Sequence, residues 1–133
     1  MKKTQISLLL RIIIAVIFLQ TLYFKFTAHP DSVHIFQSLG VEPYGRIGLG
    51  IIELITSFLI FIPRTKIIGI FLSLGIISGA IFSHFLVIGT NVEGDGGKLF
   101  LLAIVVFLSA ISLIILHKIE VISLINNVLR KKI

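Results

Sequence analysis

Four long apolar runs constrain this chain more than any other feature: residues 6–24, 45–62, 67–88 and 99–116. A helix that crosses a bilayer needs roughly 17–25 predominantly apolar residues, and each run meets that length. A transmembrane barrel would instead show alternating segments of about 10 residues, and no such alternation occurs. Arg11 interrupts the first run and no small-residue cleavage site follows it, so the run reads as a span rather than a cleaved signal. Hydrophobic residues make up 56% of the 133 residues and charged residues 14%. A soluble domain of this size has too little interior to hide so much apolar surface. A soluble enzyme and a disordered chain are therefore both excluded. The predicted fold is all-α, a polytopic transmembrane four-helix bundle forming one domain over 1–133.

The connections set a predicted orientation. Lys2 and Lys3, the turn Pro63-Arg64-Thr65-Lys66, and Lys118, Arg130, Lys131 and Lys132 all fall on one side of four spans. The other side holds Lys25, Arg46 and Lys98 at helix ends, with Asp31, Glu42, Glu93 and Asp95. The positive-inside rule places both termini in the cytoplasm, and the net charge of +6 is then membrane anchoring, not nucleic-acid binding. In the first outer connection, His29-Pro30-Asp31 is a helix start and Gly40 a stop. Val33, Phe36 and Leu39 between them predict a short amphipathic helix on the outer surface. The tail, 117–133, carries Ile119, Ile122, Ile125 and Leu129 on one face and predicts an amphipathic helix on the inner surface, held by apolar contact and anionic lipid.

Inside the spans, polar residues mark candidate sites, because an ionisable group near the bilayer centre costs about 2.5–3.5 kcal/mol on insertion scales. Glu53 shares a helix face with Arg46, Gly50 and Ser57, so it points into the bundle. Small residues such as Gly50 admit a neighbouring helix. Lys25 closes the first span and has a stem long enough to reach Glu53. Arg11 shares its face at the other end, and Gln20 looks elsewhere. His84 lies in the outer half of the third span. If spans two and three are neighbours, Glu53, His84, Lys25 and Gln20 line one polar pocket in an apolar surround, with Arg11 as a further candidate. A carboxylate, an imidazole and an amine suit the oxygens of a quinone-like ligand and can also shuttle protons. Gly75 and Gly79 form a GxxxG step, predicted to pack against another helix of the chain or of a dimer. The chain has no cysteine, which excludes disulfides, thiolate catalysis and cysteine-ligated clusters. No metal set, nucleotide fingerprint or self-contained redox centre is visible.

Several pieces in order resemble a known family. Leu8-Leu9-Leu10-Arg11 opens the first span and Lys25-Phe26 closes it. Phe36-Gln37-Ser38-Leu39-Gly40-Val41-Glu42-Pro43 leads to the second span, which holds Glu53. Arg64 follows the second span, and Gly79-Ala80 sits in the third. This arrangement resembles the DoxX-like family of small four-span membrane proteins. The resemblance implies Arg11, Lys25 and Glu53 as the shared polar positions. It also implies company with subunits of thiosulfate:quinone oxidoreductases and of oxidant-defence complexes, alongside members without an assigned activity.

The expectation is a protein of the bacterial cytoplasmic (inner) membrane, with the lipid bilayer as its solvent. It would hold a quinone or similar lipid-soluble molecule and act as the membrane subunit of a redox partner complex. A bound quinone or lipid is the one cofactor expected, and a homodimer is a possible assembly. Two alternatives stand beside it: a small proton-coupled transporter, and a non-catalytic assembly or anchor subunit.

Overall fold

The computed structural model describes residues 2–133 and is helical, with no strand among them. The first helix, α1 (Lys3–Phe26), is followed by a short α2 (Pro30–Ser38), then α3 (Tyr44–Leu59) and α4 (Lys66–Ser83). A π-helical turn, His84–Ile88, prolongs α4, and α5 (Lys98–Leu116) and α6 (Lys118–Lys132) complete the chain. Three helices are long and apolar enough to cross a membrane: Lys3–Phe26, Lys66–Ile88 and Lys98–Leu116. The second apolar run forms only the 16-residue α3, because its last residues, Ile60 to Ile62, leave the helix to make the turn into α4.

Local chemistry sets the helix boundaries. The Gln5 side chain accepts a hydrogen bond from the Lys2 amide at 3.1 Å, satisfying one of the free donors at the start of α1. His29 caps α2, its Nδ1 accepting from the Asp31 amide at 3.2 Å, with Pro30 at the first helical position. Gly40, at φ +75°, supplies the left-handed turn that ends this segment.

α1 packs against α3 and α5, and α4 packs against the same two helices, so the four long helices form a ring with α1 and α4 diagonally placed. Neighbours run antiparallel: Lys25 near the end of α1 meets Glu53 just past the middle of α3, and Arg11 in the first half of α1 reaches the Ile60 carbonyl just past the end of α3. One end of the bundle thus carries the connections 27–43 and 89–97, here the loop end. The other, the terminal end, carries both termini and the α3–α4 turn. The apolar core includes Ile14, Phe18, Ile60, Ile70, Val106, Ala110 and Leu113. Large apolar side chains also coat the outside, among them Val16, Ile55, Phe58, Phe71, Leu101 and Leu108. Such a belt is costly in water and neutral in lipid.

The predicted α2 forms, but its inward face is Ser32, Ile35, Phe36 and Leu39, not the stripe through Val33. The i, i+3, i+4, i+7 spacing of a helix roofing a cavity replaces the every-third-residue pattern. α6 forms as predicted within the tail, and Ile119, Ile122, Ile125 and Leu129 are all exposed along it, with Val121 its one buried residue.

Candidate functional site

A cavity of about 550 Å³ occupies the loop end, bounded by α1, α3, α4, α5 and the roof of α2. Its wall is mainly apolar, with Ile17, Phe18, Leu49, Ile77 and Leu102 among the lining residues. Gln20, Lys25, Glu53 and His84 all line it. The helix packing brings them together from α1, α3 and the π turn.

The Lys25–Glu53 pair is the centre of the site. Lys25 Nζ lies 3.0 Å from Glu53 Oε2, and their side chains are only 12% and 7% exposed. Lys25 also donates to Thr21 Oγ1 at 3.1 Å, and Thr21 in turn donates to the Phe18 carbonyl at 2.9 Å. The ammonium is therefore aimed by a relay within α1. Glu53 Oε2 is fully buried and has no donor at hydrogen-bonding geometry, so its contact with Lys25 is a charge contact rather than an aligned hydrogen bond. Buried polar atoms are normally satisfied, and here the Lys25 ammonium at 3.0 Å is what compensates this oxygen's charge.

Arg46, which shares Glu53's helix face, is fully engaged elsewhere. Its Nε donates to Glu42 Oε1 and Oε2 at 2.8 and 3.0 Å, and its Nη1 donates to the Lys25 carbonyl. That second contact ties the end of α1 to the start of α3 and holds Lys25 at the depth of Glu53. Gly50 lies on the same face and receives the Phe26 ring, where a Cβ would come within 2.7 Å.

His84 opens the π turn and is 4% exposed. Its Nδ1 lies 2.8 Å from the Gly89 carbonyl. A carbonyl oxygen only accepts, so Nδ1 carries the proton and the neutral ring keeps its lone pair on Nε2. The ring packs edge-on against Phe100, 5.3 Å between centroids. The Gly89 amide returns to the His84 carbonyl at 2.8 Å, the i→i+5 bond of a π-helix, a feature frequent at functional sites. Sequence reasoning placed His84 but missed this turn, whose only signal is Gly89, at φ +82°.

Asp95 also lines the cavity and was not among the sequence candidates. Its Oδ1 accepts from the Val92 and Gly97 amides at 3.0 and 2.8 Å, and Oδ2 accepts from Leu99 at 3.0 Å. Burial works against its charge, but these three N–H donors outweigh it and hold the carboxyl below the ordinary range. The carboxylate organises the start of α5. The signal for it was Asp95 itself within Gly94-Asp95-Gly96-Gly97, since an Asp among turn-forming glycines commonly accepts from the backbone amides around it.

Two other sequence candidates lie apart from this cluster. Arg11 is at the terminal end and outside the cavity. Its Nε and Nη1 donate to the Ser7 and Ile60 carbonyls at 3.3 and 3.2 Å, and the guanidinium stands 5.9 Å from the centre of the Phe61 ring. The shared face with Lys25 is real, but four helical turns separate them. Gln20 lines the cavity only as an exposed rim residue. Of the GxxxG step, Gly75 and Gly79 both line the same cavity, and a Cβ on either would meet nothing within 4 Å. No other helix of this chain reaches those positions.

A second polar cluster, unforeseen in the sequence, closes the terminal end. Ser7 Oγ lies 2.7 Å from His117 Nε2, and His117 Nδ1 lies 2.8 Å from Glu120 Oε1. Glu120 Oε2 pairs with Lys66 at 3.1 Å. The His117 hydrogen bond is the chief reason the Glu120 carboxyl is held below its ordinary range. The relay has the connectivity of a nucleophilic triad, but Ser7 is 1% exposed and sealed from any substrate. It is a clasp joining α1, α4 and the α5–α6 junction.

Long apolar helices with an apolar exterior, packed around a buried ion pair on the wall of a cavity, define a helical membrane protein with an internal polar site. More particularly, the chain belongs to the DoxX-like family, whose profile matches residues 9–113. That stretch runs from α1 to α5 and contains Arg11, Lys25, Glu53 and His84, and α6 lies beyond it. Neither curated proteins nor solved structures yield a match.

Proposed function

We propose that this protein binds a quinone or similar lipid-soluble molecule in the loop-end cavity and serves as the membrane subunit of a redox partner complex. The observation that carries this is the Lys25–Glu53 pair, buried on the wall of an apolar cavity of about 550 Å³. That volume lies within the range of about 300–1,000 Å³ typical of small-molecule sites. Lys25 is a donor for a ligand carbonyl. Glu53 lines the cavity, and its carboxylate suits a ligand hydroxyl. His84, with Nε2 as its acceptor, adds a group able to take or return a proton. The chain itself supplies proton-handling and binding groups, and electrons come from the partner or the bound molecule.

In this reading α3 is the fourth span. It packs between α1 and α4, so a bilayer that holds its neighbours holds it too. Both termini then face the cytoplasm and the cavity opens in the outer leaflet of the bacterial cytoplasmic membrane. An assembly or anchor role is the second reading, and the exposed apolar face of α6 favours it.

The test is native mass spectrometry and lipid extraction of protein released from its own membrane in mild detergent. Wild type is expected to carry a quinone or related isoprenoid, and Glu53→Gln to fold and lose it. A ligand retained by Glu53→Gln removes the carboxylate from the site. A ligand-free wild type bound to another protein points to the anchor role instead.

A further inference from the structure

The ligand-binding reading leaves one property of the cavity unexplained: its wall is incomplete on the side facing the bilayer. The seam between α3 and α4 is tightly closed near the terminal end. There Thr56, Ile60 and Ser73 are 0% exposed, and Gly69 sits so close to the next strand of backbone that a Cβ would lie 2.8 Å from the Ile60 nitrogen. Toward the loop end the same seam parts. Gly75 and Gly79 are accessible and share a face of α4 with the exposed Leu72 and Phe82, have open space where a Cβ would be, and still line the cavity. Leu49 of α3 lines it from the opposite lip. A helix surface that faces both the exterior and the interior of a cavity is the edge of an opening.

Size and chemistry indicate what passes through it. About 550 Å³ accommodates a ring and its substituents but not a long aliphatic chain as well. The polar groups lie inside, where Glu53 is 5% exposed and its Oε2 has no aligned donor. The lips, by contrast, carry apolar or glycine surface. Resting on the proposed function above, we infer that the cavity is filled sideways from the bilayer through the α3–α4 slot. Its ligand is a single-chain amphiphile whose polar head reaches Lys25 and Glu53 while its chain lies over Gly75 and Gly79 and runs out into the lipid. The two glycines keep the slot open, since any larger side chain there projects into the path of the chain.

The experiment compares two probes on protein in phospholipid nanodiscs: a benzoquinone bearing a long alkyl chain and the same ring bearing only a methyl group. Binding is measured for wild type, Gly79→Leu, Glu53→Gln and, as a control, Gly48→Leu. Gly48 lies on α3 outside the cavity and likewise has open space at its Cβ. Gly79→Leu is expected to weaken the long-chain probe about tenfold or more, equivalent to roughly 1.4 kcal/mol, and to leave the methyl probe unchanged. Gly48→Leu is expected to leave both unchanged, and Glu53→Gln to lose both. Equal binding of the long-chain probe by Gly79→Leu and wild type overturns the slot, as does equal loss of both probes. Retention of both by Glu53→Gln overturns the polar site instead, and wild type that binds neither overturns both. A photoreactive group at the chain end of the long probe gives a readout that needs no variant. Its attachment to α3 and α4 at the slot supports the path, and attachment to the outer faces of α1 and α5 overturns it.

Discussion

Lys25 and Glu53 are each costly to bury alone and tolerable together. Removing one partner of a buried pair leaves an uncompensated charge, and this loss exceeds that of removing both. Here the two partners are not equivalent. Lys25 stands at the end of α1 and can extend its stem toward water once Glu53 is neutral, whereas Glu53 is fixed within α3. Lys25→Met is therefore expected to destabilise more than Glu53→Gln, by about 3 kcal/mol against about 1 kcal/mol. The double variant should recover most of the loss. Thermal unfolding of all three in one detergent checks the order, and a double variant no better than Lys25→Met would show that the pair is not coupled. The Arg46–Glu42 contact, 2.8 Å, sits nearby and explains why Arg46 does not compete for Glu53.

At the level of elements, glycines separate a closed seam from an open one. Gly69 is pressed against backbone at Ile60, and backbone cannot swing aside as a side chain can. Gly50 faces the edge of the Phe26 ring, a half-exposed side chain that can rotate. Gly75 faces open space. Overpacking typically costs about 1–3 kcal/mol, while Ala in place of Gly within a helix gains roughly 0.5–1 kcal/mol. Gly69→Ala is accordingly expected to lower the unfolding temperature, Gly50→Ala to change it little, and Gly75→Ala to raise it slightly. Differential scanning of the three variants decides this, and a stabilised Gly69→Ala would mean that α3 and α4 separate easily. The π turn belongs to this scale as well. It widens the last turn of α4 so that His84 bonds Gly89.

For the whole molecule, the proposed four-span arrangement makes a direct prediction about which side of the bilayer each connection faces. Because the natural chain has no cysteine, single cysteines report topology without background. Lys3→Cys and Lys131→Cys are expected to react with a membrane-impermeant maleimide only after the cytoplasmic side is exposed. Asp31→Cys and Glu93→Cys are expected to react in intact cells. Opposite labelling of the two termini would mean that α3 does not span.

Much of this was legible from the chain. The apolar runs gave the helices and the membrane, because a run of that length has no other cheap environment. His29-Pro30 and Gly40 gave α2 through capping and left-handed backbone, both local properties. Glu53, Lys25 and His84 drew attention because charge in an apolar run is costly whatever its partners. Tertiary structure decided the rest. It paired Lys25 with Glu53, bound Arg46 to Glu42, and tied Arg11 to the Ile60 carbonyl. It brought Ser7, Lys66, His117 and Glu120 together, residues from the two ends and the middle of the chain that no local spacing relates. It also placed Gly75 and Gly79 on the wall of the cavity, with no other helix of this chain against them. Periodicity records which residues share a face of one helix, but which helix that face meets, and whether the seam is shut or open, depends on how neighbouring helices diverge along their lengths.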